Sequence, residues 1–161
     1  MLRWLILLSI LCSSTAWAEL QYRWTEEFGM GTLTASIRND AGSAFSISCP
    51  SGKEDTSPIV EFESMRFKLR ARETIQVVVD GESFSFSVSN NGNSFSRLRY
   101  EKLSARGTRM DLFRFVKALI VSRSENFIVE IPKLGRSERF SLKDASKKLQ
   151  NGSETLVNRC I

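Results

Sequence analysis

Ile75, Val77 and Val79 lead into Asp80-Gly81, and Phe84, Phe86 and Val88 lead out of it, with Ser83, Ser85, Ser87 and Ser89 on the opposite parity. A period of two belongs to a strand with one buried face. Asp-Gly suits the tight primed turn that joins two such strands, because both central residues need positive φ. The same pattern stands upstream. Leu33, Ala35 and Ile37 alternate with polar residues, Asn39-Asp40-Ala41-Gly42 supplies turn chemistry, and Phe45, Ile47 and Cys49 resume the alternation. A further strand is expected through Leu98 and Tyr100. Hairpins of this kind constrain the chain to a mainly β, antiparallel, sandwich-like domain.

The pattern changes at Thr108. Thr108-Arg109-Met110-Asp111 has capping-box spacing, with Asp in the usual place of Glu or Gln. Leu112, Phe115, Val116, Leu119 and Ile120 then fall at i, i+3, i+4, i+7 and i+8, which predicts a helix packed on the sheet. Asn126 to Ile131 reads as a strand stopped by Pro132. Ser141-Leu142-Lys143-Asp144 repeats the capping spacing and predicts a second short helix through Leu149, ended by Asn151-Gly152. There is no internal repeat and no linker that would divide domains.

Met1-Leu2-Arg3-Trp4, the apolar run Leu5 to Leu11 and Ala16-Trp17-Ala18 have the layout of an export signal over residues 1–18. The run is well short of the roughly 20 apolar residues of a spanning helix, so no transmembrane segment is expected after cleavage. An uncleaved tether is the alternative. The expected product is a periplasmic, or secreted, single domain over residues 19–161. Cleavage removes Cys12 and leaves Cys49 and Cys160 in an oxidising compartment, where they have only one intramolecular pairing. Two free thiols are the rival reading, but no Cys-x-x-Cys spacing supports thiol exchange.

The chain has no histidine. That excludes Ser-His-Asp and Cys-His catalysis as usually built, and zinc sites with imidazole ligands. Ser51-Gly52-Lys53 and Asn91-Gly92-Asn93 are ordinary loops, not phosphate cradles. Glu61 and Glu63 share a strand face, but acid–base work would need one of them desolvated, and the nearby Arg66 and Lys68 act the other way. No metal, cofactor or catalytic residue is therefore expected. The net charge of +5 is modest and, in an exported protein, does not argue for nucleic acid.

Met65-Arg66-Phe67-Lys68-Leu69-Arg70-Ala71-Arg72 also alternates. As a strand it would set Arg66, Lys68, Arg70 and Arg72 in one row, with Arg97 and Arg99 extending the patch from a neighbouring strand. Such a patch could hold carboxylates or phosphates bidentately. Its partner would be an envelope protein or an anionic envelope component. The plain alternative is charge that protects a sheet edge.

The segment from Gly135 through Phe140-Ser141-Leu142 and Ala145 to Leu149, followed by Cys160, resembles the ending of the invasion-associated locus B family of bacterial exported proteins. Trp24 and Cys49 fit as well. The resemblance implies a β-rich periplasmic or envelope-associated protein with a non-enzymatic role, and it carries over no catalytic residue. The expectation is an exported, non-catalytic accessory or binding protein. The alternative is an inhibitor or immunity protein that plugs a cell-wall hydrolase.

Overall fold

The computed structural model describes residues 22–50, 59–69, 72–90, 96–99 and 106–150. In chain order the elements are β1 (Thr25–Gly29), β2 (Thr32–Arg38), β3 (Ala44–Pro50), β4 (Ile59–Ser64), β5 (Arg72–Val79), β6 (Glu82–Asn90), β7 (Ser96–Arg99), α1 (Arg106–Val121), β8 (Asn126–Ile131), β9 (Arg136–Ser141) and α2 (Ala145–Gln150). The strands form an antiparallel array in the order β1-β2-β3-β4-β7-β6-β5-β8-β9. This is the mainly β, sandwich-like domain with two short helices that the alternation predicts.

The array folds over on itself. Phe140 of β9, at one end of the order, lies 6.2 Å from Phe45 of β3 and 6.1 Å from Phe62 of β4, centroid to centroid. Strand parity supplies the inner layer: Leu33, Ala35 and Ile37 face Phe45 and Ile47 across the β2–β3 ladder, and Ile75 and Val77 face Phe86 and Phe84 across β5–β6. The α1 helix fills the space between the two halves. Its Phe115 sits 5.9 Å from Phe45 and 5.3 Å from both Phe84 and Phe86. Aromatic contacts of this kind add about 0.5–1.5 kcal/mol each beyond the area they bury.

The turns are specified locally. Asp80 at φ 49° and Gly81 at φ 83° make the primed turn between β5 and β6. The Asp80 carboxylate accepts hydrogen bonds from the Ser124 hydroxyl and from the Arg123 N–H at 3.2 Å, which ties this turn to the segment after α1. Hydrogen bonds from the Ser124 and Ser122 side chains hold the Asp80 carboxyl below its ordinary value. An exposed Arg114–Glu82 ion pair at 2.7 Å adds a second link from α1 to β6.

Three expectations are corrected, and one strand is added. The strand expected over Met65–Arg72 is not one: β4 ends at Ser64, Met65–Phe67 is a bend, and β5 begins only at Arg72. The α1 helix starts at Arg106, ahead of the capping spacing at Thr108. The second helix starts at Ala145, not beside Ser141, because Ser141 closes β9 and Asp144 adopts φ 65°, which interrupts a right-handed turn. An additional strand, β9, follows a single 3₁₀ turn at Pro132–Leu134. Asn151 and Gly152 lie outside the described residues.

Candidate anion-binding groove

Four buried polar residues collect where β9 meets the β2–β3 turn and the end of β4: Asn39, Ser43, Ser64 and Glu138. Glu138 is 2% exposed, and both of its carboxylate oxygens accept hydrogen bonds, Oε2 from Asn39 Nδ2 at 2.8 Å and Oε1 from the Ser64 hydroxyl at 2.5 Å. Asn39 Oδ1 in turn accepts the N–H groups of Ala41 at 3.1 Å and Ser43 at 3.0 Å. A buried polar group is tolerated when it is paired in this way.

The network shapes the bend that follows β4. Ser64 Oγ accepts the N–H groups of Arg66 at 3.1 Å and Phe67 at 3.2 Å, and Ser43 Oγ accepts that of Met65 at 2.9 Å. Three successive backbone donors are thus drawn onto side chains in place of a neighbouring strand. This is why β4 stops at Ser64 although the alternation continues.

Above this bend lies a groove of about 360 Å³ lined by Arg66, Phe67, Gly135, Arg136 and Ser137. Arg66 and Arg136 are exposed and Phe67 is half-buried. Arg136 shares strand parity with Glu138 and Phe140, so the inner face of β9 runs from the aromatic core, through the buried carboxylate, to a guanidinium at the mouth. Gly135 gives the chain the left-handed conformation, φ 57°, that turns the 3₁₀ segment into β9. Among the described residues neither guanidinium has an ion-pair partner, and no acidic side chain lines the groove. Two unneutralised guanidiniums at one mouth, beside an aromatic ring, suit a carboxylate or phosphate ligand.

Of the basic residues singled out from sequence, Arg66 lines this groove. Lys68 is exposed beyond the bend, Arg72 opens β5, and Arg70 lies outside the described residues. The four do not form one strand row. Arg99 and Arg97 stand in register opposite Glu61 and Glu63 across the β4–β7 ladder, so the register matches them with acids. Arg136, which completes the groove, came from no charge pattern; its signal would have been Gly135-Arg136 following Pro132, a turn that presents a cation. Cys49 is buried in β3, and Cys160 lies outside the described residues.

A family model designated YfjT matches residues 22–149. No curated protein and no solved structure matches the chain.

Proposed function

The chain belongs to the YfjT family, and we propose that it is an exported, non-catalytic binding protein of the bacterial envelope that takes an anionic partner in the Arg66–Arg136 groove. The observation that carries this reading is the groove itself: two exposed guanidiniums held over a buried hydrogen-bond network. The export layout of residues 1–18 supplies the compartment. The Gly135–Leu149 segment, where the chain resembles the invasion-associated locus B family, includes three of the groove residues and Glu138. In this reading Cys160 is the disulfide partner of Cys49 and pins the C-terminal end to β3. In the chain-entropy treatment, a bridge closing a loop of about 100 residues is worth up to about 4.7 kcal/mol.

Crosslinking pull-down from envelope fractions, comparing wild type with the Arg66→Ser/Arg136→Ser variant, tests the proposal. Loss of envelope material from the variant, with its thermal midpoint kept, is the expected result. Equal capture by both proteins overturns it. Capture of a single cell-wall hydrolase, in one-to-one ratio, would replace it with the inhibitor reading.

A further inference from the structure

β9 stands at the end of the strand order and, among the described residues, pairs with β8 alone. The Leu142 N–H donates to the Glu125 carbonyl at 2.8 Å, one step beyond the Asn126–Ser141 pair. Backbone groups in an antiparallel ladder alternate in direction, so Phe140, Glu138 and Arg136 turn theirs toward β8, and Ser141, Arg139 and Ser137 turn theirs away. Lys143 continues this outward set, and its carbonyl accepts the Trp24 N–H at 3.3 Å. The segment leading into β1 thus covers one end of the outward edge. At the other end Ser137 and Arg139 are exposed, and among the described residues no strand pairs with them on this side. Their N–H and C=O groups form a short free template for another strand.

The Arg66–Arg136 groove lies against this edge. Ser137 lines it and no residue of β8 does, so it opens on the side of β9 away from β8. Its other wall is Arg66 and Phe67, held in their bend by Ser64 Oγ. Along β9 the side chains alternate, Arg136 toward the inner face and Arg139 toward the outer one. Both are exposed, and among the described residues neither enters an ion pair. A strand laid here meets cations on both of its faces. Covering guanidiniums without a counter-charge is costly, so this edge repels a neutral or basic strand and favours an acidic one. We propose that the occupant of the groove is an extended acidic segment of another protein, added to β9 as a further strand. Its backbone pairs with Ser137 and Arg139, and a carboxylate side chain on its inner face meets Arg66 and Arg136 beside the Phe67 ring. Main-chain bonds supply the affinity and the guanidiniums the selection.

The groove's role as a receiver of anions underlies this inference, which adds the chemistry of the partner. Fluorescence anisotropy with the purified exported chain and a panel of short labelled peptides, in which valine and threonine alternate around a central glutamate, tests it. Saturable binding is expected, and glutamine in place of the glutamate should raise the dissociation constant about tenfold, equivalent to about 1.4 kcal/mol. Ser137→Pro removes an outward N–H that the β8 ladder does not use, so it should leave stability nearly unchanged and weaken peptide binding about tenfold. N-methylation of the peptide backbone, tested on the wild-type chain, removes the same bonds and should weaken binding equally. No binding by any peptide of the panel overturns the proposal, as does binding indifferent to both Ser137→Pro and N-methylation. Envelope capture lost in Arg66→Ser/Arg136→Ser but kept in Ser137→Pro refutes strand addition and leaves the anionic-partner reading in place. Peptide binding that neither arginine affects refutes that reading of the groove, and this inference with it. Self-association in sedimentation that Ser137→Pro abolishes would seat a second copy on the edge and overturn the foreign partner.

Discussion

Replacing Glu138 by Gln preserves shape and removes only an acceptor, yet the structure makes the exchange costly. In the wild type each carboxylate oxygen receives one buried donor, Asn39 Nδ2 or the Ser64 hydroxyl. The glutamine amide has one oxygen for these two donors. Neither neighbour is free to turn round. Asn39 Oδ1 is engaged by the N–H groups of Ala41 and Ser43, and Ser64 Oγ by those of Arg66 and Phe67. Whichever way the amide lies, one hydrogen bond becomes a donor-to-donor contact at a site 2% exposed. The loss of one charge-assisted bond with a stranded donor is about 1.5–3 kcal/mol. Glu138→Ala strands both donors and leaves a void, for about 3–5 kcal/mol. With a urea slope of about 2 kcal/mol/M, the glutamine variant's midpoint falls by about 1 M. Equilibrium unfolding followed by the fluorescence of the core residue Trp24 measures this directly. A glutamine variant within about 0.5 kcal/mol of wild type, the range of an ordinary surface change, would refute the reasoning. An alanine variant more stable than the glutamine one would refute it too.

Phe115→Ala should cost about 3–5 kcal/mol in the same assay, because the ring bridges β3 and β6; a loss below about 1 kcal/mol would mean that α1 does not hold the halves together. Hydrogen bonds from Ser124 and Ser122 keep the folded-state pKa of Asp80 below 3.8, so its contribution is present above the unfolded-state value and is lost as pH falls through the folded one. The advantage of wild type over Asp80→Asn should therefore be level above about pH 4 and fade below it; an advantage that grows on acidification would contradict the assignment. Gly81→Ala should lower stability by about 1–2 kcal/mol, since alanine at φ 83° is strained although no atom stands within 4 Å of its Cβ, and an unchanged urea midpoint would count against the primed turn. Met30→Asn should gain up to about 1 kcal/mol in the urea assay, because Met30 holds φ 51°, whereas lower stability would mean that the β1–β2 turn is unstrained.

Much of the fold was legible because local and tertiary preferences agree. The two upstream hairpins show their inward faces as period-two alternation, and the Asp80-Gly81 turn is written in its dipeptide. β9 was not legible, because Arg136-Ser137-Glu138-Arg139 reads as a solvated run. Its inward position carries Glu138, whose donors come from residues 99 and 74 positions away, and no local window reveals them. The same serine, acting locally, explains the overextended strand. Phe67 and Leu69 do turn toward the core as the alternation requires, Leu69 being buried, but Ser64 takes the backbone donors that a ladder would need. Half of the candidate groove was therefore visible as Arg66, and the other half depended on a fold-back that only tertiary contacts specify.

The strand order carries a kinetic consequence. The β1-β2-β3-β4 meander joins neighbours in sequence and has short loops to close, but β4 finds its other partner in β7, which lies beyond the β5–β6 hairpin. Asn39 and Ser64 wait longer still for Glu138. While the chain is being made, the first half emerges with its polar cluster unfulfilled, and it remains reversible until the last strand is delivered. Long-range closure of this kind is slow and leaves sheet edges open in the interval. Glu138 would then act as the late lock on folding: variants there should slow the final phase of refolding and leave the formation of the early hairpins untouched.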